Sequence, residues 1–108
     1  MLSRILVLVV VWALSASAFA YNCNYESILF SYLAKQHQST EDCFLIDPRD
    51  VSAEGDAVLS VKVRERHNKK CGGDPETMPT AGIFRVNTSS CRIDEFNIAE
   101  DEYLKLNY

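Results

Sequence analysis

Residues 57–67, A-V-L-S-V-K-V-R-E-R-H, decide how this chain folds. Leu59, Val61 and Val63 alternate with Ser60, Lys62, Arg64 and Arg66, and successive side chains of an extended strand point to opposite faces. The spacing therefore predicts a strand from Ala57 to His67 with an apolar face on a core and a polar, cationic face in solvent.

The neighbouring segments read outward from it. Downstream, Asn68 to Pro79 is a long loop punctuated by Gly72-Gly73, Pro75 and Pro79. Ala81–Val86 and Arg92–Ile98 follow as strands separated by a turn at residues 87–90. After an acidic bend at residues 100–102, Tyr103–Leu106 is expected as a short edge strand. Upstream, Ser52–Asp56 reads as a turn. Cys43–Ile46 reads as a first strand closed by Asp47-Pro48, because proline lacks the ladder donor. Before that, Asn24 can cap a helix in which Tyr25, Ile28, Leu29, Tyr32 and Leu33 recur at spacings of three and four. Glu26 in its first turn and Lys35 near its last suit the helix dipole, as does His37 at its end. The expected fold class is α+β: one N-terminal helix packed on a four- to five-stranded antiparallel meander.

The N-terminus is read as a targeting segment. Arg4 precedes an apolar run from Ile5 to Leu14 and small residues ending at Ala20, the layout of a secretory signal peptide. No other stretch is apolar enough to be expected to span a bilayer. Residues 1–20 carry Arg4 as their only charge, so residues 21–108 form one small domain with 10 basic and 15 acidic side chains, net −5. The expected location is the periplasm, with secretion as the alternative.

A domain of this size buries too little surface to be robust on its core alone, and exported domains often add covalent staples. Cys23, Cys43, Cys71 and Cys91 are even in number, and none sits in a C-x-x-C pair. In an alternating meander, the start of the first strand and the end of the second share one edge, which makes Cys43 and Cys71 neighbours. The start of the helix falls at the opposite edge, beside the third turn. The preferred pairing is therefore Cys23–Cys91 and Cys43–Cys71.

Residues 64–75, R-E-R-H-N-K-K-C-G-G-D-P, concentrate the chain's chemistry. Glu65, His67, Cys71 and Asp74 have spacings compatible with a metal site. A cysteine from an even set in an exported protein is more simply bridged, which removes it both as a ligand and as a nucleophile. The acidic residues are spread over turns and the tail, with no marked pair for glycoside chemistry. Gly72-Gly73 with Lys69 and Lys70 could cradle an anion, although a tight turn before Asp74-Pro75 needs the same glycines. Lys62, Arg64 and Arg66 form a basic stripe in an acidic chain, suited to an acidic partner or glycan. Nucleic acid fits poorly with net −5 and no interleaved aromatics. Asn87-Thr88-Ser89 matches a glycosylation sequon, a pattern that is common by chance.

The run Arg64-Glu65-x-His67-Asn68-x-x-Cys71-Gly72-Gly73-Asp74-Pro75-x-Thr77-x-Pro79, followed by Phe84-Arg85-Val86, resembles a group of small bacterial periplasmic proteins with an R-E-x-H-N-x-x-C-G-G-D-P-x-T-x-P signature. The likeness covers about Phe44 to Leu106. Those relatives have an Asp-x-x-Thr-Gly-Lys type of turn where this chain has Asn87-Thr88-Ser89-Ser90-Cys91, a departure that fits an added bridge. The helix-and-strands plan is also similar to that of PepSY-like domains, which are inhibitory or binding modules. The resemblance implies an exported bacterial protein with a compact α+β fold and no particular reaction.

The functional expectation is a non-enzymatic binding protein, an inhibitor or immunity-type factor for an envelope enzyme being one form. It would act through Lys62, Arg64, Arg66, His67, Asn68, Gly72, Gly73 and Asp74 on an envelope protein or acidic ligand, without cofactor or metal. The alternative is a small hydrolase or metal-binding protein using Glu65, His67 and Asp74. A third possibility is structural: Asn68 and Asp74 bond backbone groups of the long loop.

Overall fold

A computed structural model describes residues 23–108; the signal-peptide assignment lies outside them. Helix α1 runs Tyr25–His37. The strands are β1 Phe44–Leu45, β2 Val51–Gly55, β3 Val58–Glu65, β4 Thr80–Asn87, β5 Arg92–Asn97 and β6 Glu102–Lys105. The fold is α+β, with all strand pairs antiparallel in the order β1-β3-β4-β5-β6 and β2 also on β3.

The helix ends follow from local chemistry. Asn24 Oδ1 accepts from Ser27 N at 3.4 Å, satisfying one of the free N-terminal donors. At the other end Gln38 adopts a left-handed conformation and Ser39 N bonds Ala34 O at 2.9 Å, closing the last turn.

Ser52–Gly55, expected within a turn, belongs to a strand. Phe44 and Leu45 oppose Glu65 and Arg64, while Val51, Ser52 and Ala53 oppose Val61, Ser60 and Leu59. β1 and β2 thus act as one edge strand interrupted by residues 46–50, where Asp47 accepts from Arg49 N and Pro48 opens a 3₁₀ turn. In β2 only Val51 is even partly buried, so the alternation that marks β3 has no counterpart there. The long strand is also shorter than expected: Ala57 is a turn residue at φ 61°, and Arg66 and His67 lie beyond its end.

The core lies between α1 and one face of the sheet. Leu29 and Leu33 meet Val61, Val63, Phe84, Val86 and Ile93, all at most 2% exposed. Burial of each such side chain stabilises by about 1.5–3 kcal/mol. Gly82 makes room in this layer, since a Cβ there would sit 2.7 Å from the Phe84 ring. That ring packs edge-on to Tyr32 at 6.3 Å, and Tyr32 donates to Glu95 Oε1 at 2.7 Å.

Two bridges close the ends of this layer, Cys23–Cys91 and Cys43–Cys71, with Cα separations of 5.4 and 5.6 Å. Both are the pairings derived from the meander. Among the described residues, no helix is long and apolar enough to cross a membrane.

Candidate functional site: a stapled loop and an open sheet face

The 64–75 motif builds a loop that folds back on the end of β3. Glu65 N bonds Pro79 O at 2.8 Å and Arg66 N bonds Cys43 O at 2.7 Å, which fixes both margins. Asn68 then organises the turn: its Oδ1 accepts from Cys71 N and its carbonyl from Gly72 N, both at 2.8 Å. The Cys43–Cys71 bridge ties this turn to the start of β1. Gly72 and Gly73 follow at φ +78° and +79°, a region that residues with a Cβ avoid. Asp74 Oδ1 accepts from Glu76 N at 3.0 Å, and its carbonyl accepts from Thr77 N at 3.1 Å. Asn68 and Asp74 therefore bond loop backbone, as the structural reading anticipated.

His67 lies at the centre of this loop, its side chain 16% exposed. Nδ1 is 2.9 Å from the Asp74 carbonyl and Nε2 is 3.2 Å from Glu65 Oε2. A Cβ on Gly73 would come within 2.6 Å of the ring, so the glycine is required by both conformation and close approach. From the end of α1, His37 Nδ1 reaches the other Glu65 oxygen at 3.7 Å. These groups, with Ser39, Phe44 and Arg66, line a cavity of about 180 Å³.

The motif does not gather the set Glu65, His67 and Asp74. The Asp74 carboxylate turns to Glu76, and only its carbonyl meets His67. The third titratable partner is His37, 28 residues before Glu65 in the chain, which sequence reasoning placed at the helix end without a role. Among the described residues, no group of three or more His, Cys, Asp or Glu is arranged to hold a metal ion, and no cysteine is free. The glycine cradle is also partly consumed, because the N–H groups of Cys71 and Gly72 already bond Asn68.

The other candidate surface is the sheet face opposite α1. Register places Ser60, Lys62 and Arg64 of β3 beside Ile83 and Arg85 of β4, Asp94 and Phe96 of β5, and Tyr103 and Lys105 of β6. None of these side chains is buried, in contrast to Val61 and Val63 of β3, Phe84 and Val86 of β4 and Ile93 of β5, which face the core. Phe96 and Tyr103 pack with ring centroids 5.2 Å apart, and the Arg85 guanidinium lies 4.0 Å over the Tyr103 ring. Arg85 also pairs with Glu54 at 2.9 Å.

The predicted stripe divides on this surface. Arg64 donates to both Asp50 oxygens, at 2.6 and 3.3 Å, and to Met78 O at 3.1 Å. These bonds hold the Asp50 carboxyl below the usual carboxylate range, with the nearby charges of Arg64 and Lys62 adding to the effect. Arg49 acts likewise on Asp47, whose pKa falls to about 2. Lys62 and Arg66 make no salt bridge among the described residues, and neither does Lys105. The aromatic and cationic neighbours on β4 to β6 were not anticipated. Their signal was the same two-residue alternation, followed for β3 and not carried across to the later strands.

No family model, curated protein or solved structure matches this chain.

Proposed function

We propose that this chain is an exported binding protein that engages an acidic protein partner through the open sheet face and turns over no substrate. One observation carries this reading: the sheet face that no described helix or strand covers combines Lys62, Arg64, Arg85 and Lys105 with the Phe96–Tyr103 pair, in a chain of net charge −4. Arginine and aromatic side chains are enriched at protein interfaces, and unpaired lysines at the rim speed encounter with an oppositely charged surface. The signal-like N-terminus and the two bridges support export, with the periplasm as the compartment. An envelope enzyme held by an inhibitor or immunity-type factor is the kind of partner this reading favours, in line with the motif's resemblance.

The test uses the oxidised protein to capture partners from an envelope extract. The captured protein is then purified and titrated with wild type and with Lys62→Glu/Lys105→Glu, a pair chosen because neither lysine holds the fold by an ion pair. At about 1 kcal/mol for each reversed rim charge, affinity is expected to fall roughly thirtyfold, and less at high salt. Equal binding by the two proteins, or no partner retained by either, refutes the reading.

A further inference from the structure

The ladder of strands ends at β6 with part of its backbone unpaired. Leu106 N donates to Ile93 O at 2.8 Å, and antiparallel neighbours alternate between bonded and unbonded pairs, so Glu102 and Leu104 also direct their N–H and C=O groups at β5. The same groups of Tyr103 and Lys105 point outward, away from the sheet. Among the described residues no strand pairs with that edge. The C-terminal tail continues alongside β5, where Tyr108 Oη donates to Cys91 O at 2.6 Å. Such a row of free donors and acceptors is a template for one more strand.

We propose that two copies of this chain join through β6, antiparallel and related by a twofold axis at Leu104, to make one continuous sheet. The side chains select this arrangement. A twofold axis normal to the sheet sets residues of like parity against each other, so within β6 it falls on Tyr103, Leu104 or Lys105. An axis at Lys105 brings two ammonium groups face to face, which is unfavourable. An axis at Tyr103 needs Asp101 in the ladder opposite Lys105, and Asp101 is a turn residue at φ 53°. An axis at Leu104 uses only the run 102–106. Tyr103 and Lys105 then exchange their outward bonds with Lys105 and Tyr103 of the copy, each ammonium beside a phenol ring. Leu104, a large apolar side chain left 42% exposed, meets its own copy.

The opposite edge offers no such template. β1 and β2 are separated by residues 46–50, with Pro48 in a 3₁₀ turn, and the β2–β3 register shifts between Ala53 and Gly55. β5 and β6 pair in unbroken register. Association therefore closes at two copies and does not grow into a fibre. β6 is short and carries Lys105, both ordinary protections of an edge, and here the lysine rejects one register while fitting another. On the helix side, Tyr32, Glu95 and Leu104 border a cavity of about 480 Å³, which leaves space between α1 and the approaching copy. The pairing does not rest on the open-face reading, since it concerns the protein alone.

Sedimentation equilibrium of the isolated oxidised protein tests it. Between about 10 µM and about 1 mM the average mass should rise toward twice that of one chain, with half-association on the order of 100 µM for so small an interface. Leu104→Asp sets two carboxylates against each other on the helix side and leaves the open face unchanged. It should weaken association about tenfold or more. Cysteines read the register: two copies of position 104, an unbonded pair, lie about 4.5 Å apart at Cα, within reach of a disulfide, whereas two copies of position 102 are about 14 Å apart. Once the native bridges have formed, mild oxidation should link Leu104→Cys into a covalent dimer about tenfold faster than Glu102→Cys. This pair decides the matter should Leu104→Asp fail to fold. A chain that stays monomeric at about 1 mM overturns the proposal and leaves the edge to an extended segment of a different protein. Equal crosslinking at the two positions overturns it as well.

Discussion

Replacing Gly73 by alanine, beside the same change at Gly72, isolates the contact that holds His67. Both glycines have nearly equal positive φ, so the conformational cost is shared. It amounts to about 1–2 kcal/mol per residue, offset by up to about 1 kcal/mol because alanine also restricts the unfolded chain. At Gly72 nothing lies within 4 Å of a new Cβ, so the net cost there should be about 1 kcal/mol. At Gly73 the Cβ would lie 2.6 Å from Nδ1 and 2.7 Å from Cδ2 and Cε1 of His67. The ring cannot yield without giving up its bonds to Asp74 and Glu65, at about 1 kcal/mol or more each. The expected total at Gly73 is therefore about 3 kcal/mol, a large part of the stability of so small a domain. Urea unfolding of the oxidised proteins at pH 6 gives both values, with an unchanged m-value as the check on two-state behaviour. The difference should vanish in a His67→Ala background, leaving a coupling of about 2 kcal/mol between positions 67 and 73. Equal costs at the two glycines in the wild-type background would refute the reasoning.

The two bridges differ in span, 68 residues for Cys23–Cys91 and 28 for Cys43–Cys71. In the chain-entropy model, replacing each cysteine pair with alanines should cost about 4.4 and about 3.6 kcal/mol respectively, and denaturant midpoints showing the opposite order would sink the loop-length argument. Tyr32 predicts an alkaline effect: burial first, then its hydrogen bond and charge contact with Glu95, push its pKa from 10 to about 12. A raised phenol pKa leaves stability intact below pH 10 and lowers it as pH climbs toward 12. The tyrosinate absorbance absent from Tyr32→Phe should accordingly appear near pH 12; its appearance near pH 10 would contradict the burial of the ring hydroxyl together with its Glu95 contact.

Where apolar residues alternated with polar ones, the architecture was legible before any coordinates. The β3 pattern of Leu59, Val61 and Val63 fixed which face meets the helix, and the α1 pattern of Leu29 and Leu33 supplied the facing layer. The preferred disulfide pairing came from strand direction together with the helix leading into the first strand, and both bridges form as that reasoning placed them. β2 escaped because strand periodicity is a record of burial, and Ser52 to Gly55 bury nothing: these residues are held by backbone pairing with β3, which leaves no trace in side-chain type.

The same distinction explains the candidate site. Asn68, Gly72, Gly73 and Asp74 were legible as a turn because their chemistry acts on backbone only a few residues away. His37 and Glu65 were not legible as partners, since their meeting depends on where α1 ends over the sheet, a tertiary consequence of the core packing. The open face lay between these cases. Its residues were all visible by parity, but Arg85, Phe96, Tyr103 and Lys105 join Lys62 only once the strand order and register are known. A basic stripe on one strand has as its simplest reading a solvated surface. Spread across β3, β4 and β6 and joined to an aromatic pair beneath an arginine, it acquires the arginine and aromatic content that is enriched at protein interfaces, which is the basis of the proposed function.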